Sequence, residues 1–504
     1  MSVTTGSVAR RASITDIPTE ILCAVLERSR GVDHPAVVAA QVCQRWRAVA
    51  SDMPHVWSHI HSSFPTKLII GMLHRSRSLP LYIVIDFSKS NFKPSGNGIH
   101  YDETVAMIFQ HLPRIRELRI FMDDGTPFHH CHTVLDVPAG MLAVLQISIT
   151  NPSEPLTLGE NFLGGVHNPA LKTLYLDRIT PRWDSPIFQN LTSLSIKFDY
   201  SGLDNDVSTC QIVDVLGRCP DLENLTLKVC PMLLELPEPT LRVNLSRLRR
   251  LYLNINKIED YNALMSIMEL PTDLHCTLIF PSQSFYYDPL PIVWPRRLTP
   301  SSICESLSCY VGSDQLKIEA SVYPDVGLPS VTDIVMHLGP YEDTEDVESW
   351  VASKSEQDTL PQCIDYLAEI ISHPYFTSAS TFEITLDPNF RFCDVDMDIT
   401  TELKNLLTTM RNVDALRVSV NPEIITPFLH TAEHWLPTFT NLRYLRINLD
   451  LNETALESLI KCLSIRSERA LQISELRVVG ENRLPTVRKG ALLEFADLVL
   501  FEES

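Results

Sequence analysis

The sequence predicts an α/β protein: a small all-α unit followed by a right-handed β/α solenoid. Three observations carry that prediction. Helix-period apolar stripes with two tryptophans crowd residues 14–62, an L-x-x-L-x-L string recurs through much of the remaining chain, and helix-period segments fall between its copies. The expected layout is a flexible tail at 1–13, the helical unit at 14–62, a connecting helix and first strand at 63–87, and the solenoid at 88–504, with an irregular insertion around 281–360.

Composition narrows the functional classes. The 504 residues are 44% apolar and 21% charged, ordinary for a folded chain and too apolar for wholesale disorder. Only 17 are glycine, and no GxxxxGK(S/T) or GxGxxG phosphate loop occurs. A formal charge of −20 repels nucleic acid and anionic membranes, so neither is expected as a partner. The opening MSVTTGSVARRASITDIP lacks a signal peptide's apolar core, and no stretch is apolar enough for a membrane span. The 12 cysteines are scattered without a C-x-x-C pair, which fits thiols in a reducing compartment better than a disulfide framework. A cytoplasmic or nuclear location is expected. The sequons at Asn190, Asn224, Asn244 and Asn452 are then chance matches.

The tail is small, polar and basic, and Arg10-Arg11-Ala12-Ser13 has the form of a basic-directed phosphorylation site. Asp16-Ile17-Pro18 starts a helix well, with an Asx cap and a proline whose missing N–H costs nothing in the first turn. Ile17, Ile21 and Val25 follow at i, i+4, i+8, with Leu22 and Leu26 alongside. Gly31 and Pro35 break the pattern. A second helix is expected to carry Val38, Val42, Cys43, Trp46, Val49 and Ala50 on one stripe, with Gln44, Arg45 and Arg47 outside. Pro54, Val56, Trp57 and Ile60 close the unit. So small a segment with so much apolar stripe buries too little by itself and needs a partner.

These residues resemble an F-box. The family's pattern is an apolar-Pro-x-Glu start, an apolar helix, a VCxxWR helix and a PxxW ending. Ile17-Pro18-Thr19-Glu20, Val42-Cys43-Gln44-Arg45-Trp46-Arg47 and Pro54-His55-Val56-Trp57 match it in order and spacing, with Ile17 in place of the commoner leucine. The stretch from Leu73 to Leu81, LHRSRSLPL, is similar to the RS…PL joint of the large basidiomycete F-box family, so the resemblance covers about residues 14–87. Within it, Thr66 to Ser76 reads as a helix with Leu68, Ile69, Met72 and Leu73 on its apolar face. Leu81, Ile83 and Ile85 alternate with Tyr82, Val84 and Asp86 as a strand.

The L-x-x-L-x-L string appears at Ile115/Leu118/Ile120, Leu142/Leu145/Ile147, Leu171/Leu174/Leu176, Leu191/Leu194/Ile196, Leu222/Leu225/Leu227 and Leu248/Leu251/Leu253. It returns at Val413/Leu416/Val418, Leu442/Leu445/Ile447 and Ile473/Leu476/Val478. The steps between first anchors, 20 to 31 residues, bracket the leucine-rich-repeat period, although the repeats are degenerate and lack a fixed Asn or Cys. Ile212/Val213/Leu216, Leu264/Ile267/Met268, Leu367/Ile370/Ile371, Leu403/Leu406/Leu407 and Leu456/Leu459/Ile460/Leu463 supply the crossover helices of a leucine-rich-repeat-like solenoid. A non-repetitive α/β domain with similar strings is the alternative. From 281 to 330 the repeat fades into Pro, Ser and Tyr, and Gly339 to Asp358 is acidic, reading as a solvated, mobile insertion that holds Trp350.

No catalytic constellation is found: no G-x-S-x-G, no H-E-x-x-H, no kinase signature. His129-His130-Cys131-His132 offers soft ligands, but adjacent residues cannot easily wrap one ion, and Cys304/Cys309 and Asp394/Asp396/Asp398 are weaker. No metal site and no cofactor are expected.

The F-box resemblance implies a non-enzymatic substrate-receptor subunit of a Skp–cullin–F-box ubiquitin ligase. It would dock on a Skp-type adaptor, and through it a cullin, while the solenoid holds a protein target near the conjugating enzyme. Ile17, Pro18, Ile21, Leu22, Val42, Trp46 and Trp57 are the expected adaptor-binding residues. A non-degradative interaction scaffold is the alternative, and an enzyme of unrecognised type would need a deep pocket with perturbed ionisable groups. In the last three repeats the outward residue between the final two anchors is Arg417, Arg446 and Arg477. Two readings stay open for this strip, which Arg443 and Tyr444 flank. One is a solvated face balanced by Asp414, Asp450 and Glu475. The other is a docking strip for an acidic or phosphorylated target segment.

Overall fold

The computed structural model describes residues 17–28, 35–87, 99–123, 135–150, 156–198, 207–230, 232–233, 242–255, 258–271, 274–280, 306–311, 316–322, 332–338, 367, 371–386, 407–410, 412–419, 436, 439–448, 453–479 and 491–502. The tail, the His129–His132 cluster, the acidic stretch from 339 to 358 and the 394–398 aspartates lie outside these residues. The chain divides into two compact units, Met1–Asp199 and Tyr200–Ser504.

The first unit opens with α1 (Thr19–Arg28), α2 (Pro35–Val42) and α3 (Gln44–Ser51). The apolar stripe predicts a single helix across α2 and α3. Cys43 instead takes an extended φ of −160° and ψ of 172°, which interrupts the helical ladder between them. Arg47 Nε donates to Ala40 O at 2.7 Å, satisfying one of the end carbonyls that the break creates. A 3₁₀ turn at Pro54–Trp57 follows. Trp57 is 1% exposed and forms the centre of this small core. Its indole Nε1 donates to Ala50 O at 2.7 Å, and the Arg75 guanidinium lies 4.6 Å over the ring.

The helical unit runs directly into a parallel sheet. β1 (His59–His61) pairs with β2 (Leu81–Asp86), His59 opposite Tyr82 and His61 opposite Val84, and α4 (Thr66–Arg75) crosses between them. The His59 and Tyr82 rings stack at 4.5 Å, Ser62 N donates to Val84 O, and Asp86 N donates to Ser62 Oγ. α4 and β2 fall where their periodicities place them, with Leu81, Ile83 and Ile85 buried. α5 (Ile99–Phe109) then leads to β3 (Ile115–Met122), β4 (Val144–Ile149), β5 (Thr173–Asp177) and β6 (Ser193–Lys197), all parallel and in chain order. The second anchors stack as Leu118, Leu145, Leu174 and Leu194, and the third as Ile120, Ile147, Leu176 and Ile196. Crossover helices are not general, however. The described links around β5 contain 3₁₀ turns at Phe162–Gly165 and Pro186–Phe188, and for the second the 20-residue step from Leu171 to Leu191 leaves little room for a helix beside the strand.

The second unit repeats the scheme. α6 (Thr209–Gly217) starts with a capping box in which Ser208 and Gln211 exchange side-chain-to-backbone bonds. β7 (Asn224–Cys230), β8 (Arg250–Ile255) and β9 (His275–Phe280) are parallel, with α7 (Ile258–Ile267) between the last two. The region expected to be an irregular insertion in fact contributes three strands, β10 (Ser306–Val311), β11 (Leu316–Val322) and β12 (Thr332–Leu338). They join the sheet out of sequence order, as β9-β12-β11-β10, and β11 is antiparallel to both neighbours. A meander has no crossover and therefore no helical repeat spacing, which is why the period fades here. β13 (Thr381–Leu386) pairs with β10, and β14 (Ala415–Ser419), β15 (Tyr444–Asn448), β16 (Ile473–Val479) and β17 (Ala496–Glu502) follow in parallel, with α8 (Glu453–Glu468) between β15 and β16.

One polar device recurs. Just before β3, Arg114 donates its guanidinium to the carbonyls of Leu73, Arg77 and Leu79, ahead of β2. Asn168, before β5, donates to Ala139 O and Leu142 O, ahead of β4. Asn412, before β14, donates to Thr377 O, ahead of β13. Arg466, before β16, donates to Leu436 O at 2.9 Å, Phe439 O at 2.6 Å and Leu442 O at 2.9 Å, ahead of β15. Each of these turns thus has carbonyls capped by a side chain one repeat downstream, beside turn bonds such as Leu142 N to Ala139 O and Phe439 N to Leu436 O.

Candidate functional site

The helices of the first unit sort the predicted adaptor-binding residues into two groups. Leu22 (1% exposed), Leu26 and Trp57 face inward and build the small core. Ile21 is 54% exposed, Val25 45%, Val38 55% and Val42 45%, so α1 and α2 turn apolar surface outward. Pro18 is exposed beside them, and Ile17 and Trp46 are half-buried. Leu22 and Trp57 therefore support the surface from beneath, while Val25 and Val38, present in the stripes but absent from the expected set, belong to it. The rule that missed them was an assumption that the stripe faces one way. On α1, Leu22 and Leu26 point to the core and Ile21 and Val25 to the outside, one position apart on the helical wheel. Arg45 ties this face to α1 through Thr19 Oγ1 at 3.2 Å, and His55 Nε2 lies 3.2 Å from Glu27 Oε1.

In the second unit the predicted strip is assembled as the repeat register requires. Arg417 on β14 stands opposite Arg446 on β15, which stands opposite Arg477 on β16. All three are exposed, Tyr444 is 48% exposed, and Arg443 is exposed where β15 begins. A depression of about 260 Å³ is lined by Arg417, Arg446, Arg477, Tyr444 and Glu475, with Ala415 at its side. Two carboxylates already touch the outer arginines: Arg417 Nη1 is 3.4 Å from Glu383 Oε2, and Arg477 Nε donates to Glu475 Oε1. Of the three balancing acids expected, Glu475 takes that role. The backbone carbonyl of Asp414 accepts from Arg443 N and Tyr444 N, and Asp450 lies outside the described residues. Glu383 was missed because its repeat is Ala379/Phe382/Ile384, in which alanine and phenylalanine replace leucine. Its register, Glu383 opposite Arg417, puts it in the same column.

The strongly shifted ionisable groups are structural. Burial pushes the Cys276 thiol up to about 12, so it stays a protonated core residue on β9. Burial likewise lowers the Arg466 guanidinium to about 10, which leaves it charged at neutral pH and held by three carbonyl dipoles. Among the described residues, no group of three or more His, Cys, Asp or Glu side chains is placed to hold a metal ion, and no helix is long and apolar enough to cross a membrane. No curated protein matches the chain. The model of the F-box-like family matches residues 14–63, the segment from α1 to just past β1, so this chain carries an F-box-like domain at its helical end.

Proposed function

We propose that the protein is a substrate-receptor subunit of a Skp–cullin–F-box ubiquitin ligase, with the F-box-like helices docking on a Skp-type adaptor and the sheet-built remainder, a leucine-rich-repeat-like solenoid, holding a protein target. The observation that carries the reading is the outward apolar set Ile21, Val25, Val38 and Val42 on helices that already have a core of their own. A folded unit gains nothing from such a face unless a partner covers it. The chain acts by proximity: it performs no bond chemistry, and it raises the local concentration of target lysines around the conjugating enzyme.

The joint supports this reading. β1 belongs to the F-box-like segment and is also a strand of the first unit's sheet, so no flexible linker separates the adaptor-facing helices from that sheet. Affinity capture of the tagged chain, with and without proteasome inhibition, is the test. Adaptor and cullin are expected in both captures, and a target protein is expected to accumulate under inhibition. Capture of adaptor without cullin, with no protein stabilised, would instead support a non-degradative scaffold.

A further inference from the structure

β17 ends the second unit's run of parallel strands. Its register with β16 runs from Ile473–Ala496 to Val479–Glu502 without a shift, and among the described residues no strand pairs with its other edge. The row of N–H and C=O groups along an open edge is a template for another chain, and folded proteins ordinarily blunt it with a short strand, a lysine, a proline or a bulge. β17 has none of the four: it is seven residues long, its register is unbroken, and its sequence is ADLVLFE. Apolar side chains frame the edge as well. Leu498 is 46% exposed, and Leu493, in the turn that feeds the strand, is 60% exposed. The charges around it have one sign. From Ala491 to Ser504 the sequence holds Glu494, Asp497, Glu502 and Glu503 and no lysine, arginine or histidine, and Glu494 and Asp497 are exposed. That composition decides between occupants. A second copy of the chain, paired edge to edge, would bring this acidic stretch against itself, and like charges facing each other across strands destabilise the pairing. A basic segment meets no such penalty.

We infer that the open edge of β17 is the docking site for an extended segment of a target protein, in which apolar residues alternate with lysine or arginine, added to the sheet as a further strand. The inference names a target chemistry for the receptor reading and rests on that reading for its biological sense. Main-chain bonds along the edge hold the segment, and its side chains select it. Successive side chains of an added strand point to opposite faces. On one face they fall beside Leu498 and Leu500, which the register sets next to Glu475 and Arg477. On the other they fall beside Val499, which is set next to Leu476. The basic residues of the segment meet Glu494 and Asp497. Attraction between exposed charges is modest and weakens with salt, so the main chain and the apolar residues carry most of the affinity and the acids set the preference.

The test uses the full chain bound to its adaptor and fluorescent peptides as long as β17, in which valine alternates with lysine. Matched peptides carry glutamate in place of lysine, or are N-methylated at every second residue in one of the two phases. An N-methyl group removes a backbone donor, and alternate residues of a strand present theirs to opposite edges. One phase is therefore expected to weaken binding about tenfold or more and the other to leave it near its original level. The glutamate peptide is expected to bind more weakly than the lysine peptide, and Asp497→Lys to narrow that difference. Leu498→Lys, a change at an exposed side chain, is expected to weaken the lysine peptide about tenfold. Binding that is indifferent to the N-methyl phase, or that ignores Leu498→Lys, would overturn the inference. A dimer in sedimentation that Leu498→Lys abolishes, with no peptide bound, would give the edge to a second copy instead. Adaptor capture is read on the same preparations. Its persistence alongside failed peptide binding would sink the edge and leave the receptor reading standing, whereas its absence in the unaltered chain would sink the receptor reading itself.

Discussion

The two exposed surfaces are held up in opposite ways. On α1 and α2 the outward residues are apolar and the support beneath them, Leu22, Leu26 and Trp57, is apolar too, so on α1 surface and core residues are sequence neighbours about 100° apart around the helix. On β14 to β16 the outward residues are charged, and their placement depends on a strand register set by buried leucines and on a second, buried arginine. Arg466 is 1% exposed and fastens the turn that feeds β15, the strand that carries Arg446. The first surface needs area covered and is indifferent to salt. The second needs charge met and is not. Binding measured against ionic strength therefore assigns a partner to one surface or the other.

The largest expected effect breaks the support of the first surface. Trp57→Ala removes the centre of the small core and should cost about 3–5 kcal/mol, seen as a lower melting temperature and a parallel loss of adaptor capture. Ile21→Asp touches only the outer face. Burying one large apolar side chain contributes about 1.5–3 kcal/mol, so this change should weaken adaptor capture by roughly one to two orders of magnitude with the melting curve unmoved. Adaptor capture that survives Ile21→Asp, and the same change at Val38 and Val42, would remove the basis for the adaptor-docking face.

Support for the second surface is tested at Arg466. Replacing it with methionine fills most of the volume but strips the guanidinium from the carbonyls of Leu436, Phe439 and Leu442, of which the first two keep only the long turn bonds from Phe439 N and Leu442 N. An orphaned buried acceptor costs about 1–3 kcal/mol, and the relief of a buried charge offsets part of the sum, so a net loss of about 2 kcal/mol is expected. Hydrogen exchange should quicken at the start of β15, at Arg443 and Tyr444, whose amides donate to Asp414 O. Unchanged protection there would detach Arg466 from the ladder.

Much of this was legible from local pattern. The nine copies of L-x-x-L-x-L became strands with their anchors buried, because a strand buried against one core face announces itself with period two. The arginine column followed from the same register. The unread parts have specific causes. The break at Cys43 was hidden because α2 and α3 keep an almost continuous apolar stripe, and periodicity does not register one extended residue. The β10–β12 meander lacks the repeat's spacing. The clasps at Arg114, Asn168, Asn412 and Arg466 escaped because two residue types serve one purpose at variable distances ahead of the next anchor. The same cap on the preceding turn is thus built from arginine in two places and from asparagine in two others.

The smallest effect concerns the link between the F-box-like helices and their sheet. Arg114 reaches back to the turn joining α4 to β2, donating to Leu73 O, Arg77 O and Leu79 O and to Ser76 Oγ. Arg77 in that turn has a positive φ of 53°, a conformation that side-chain-bearing residues adopt reluctantly, so the turn needs fastening. Lysine at 114 keeps the charge but offers a single point donor in place of a planar fork that spans several carbonyls. Arg114→Lys should therefore cost only about 1 kcal/mol of stability. Its informative readout is elsewhere. If the clasp keeps the adaptor-facing helices fixed on the first unit's sheet, exchange should rise at Arg77 and Leu79, whose amides donate within the turn, while adaptor capture stays at its original level. A drop in adaptor capture without faster exchange would mean that Arg114 shapes the docking face itself and not the joint behind it.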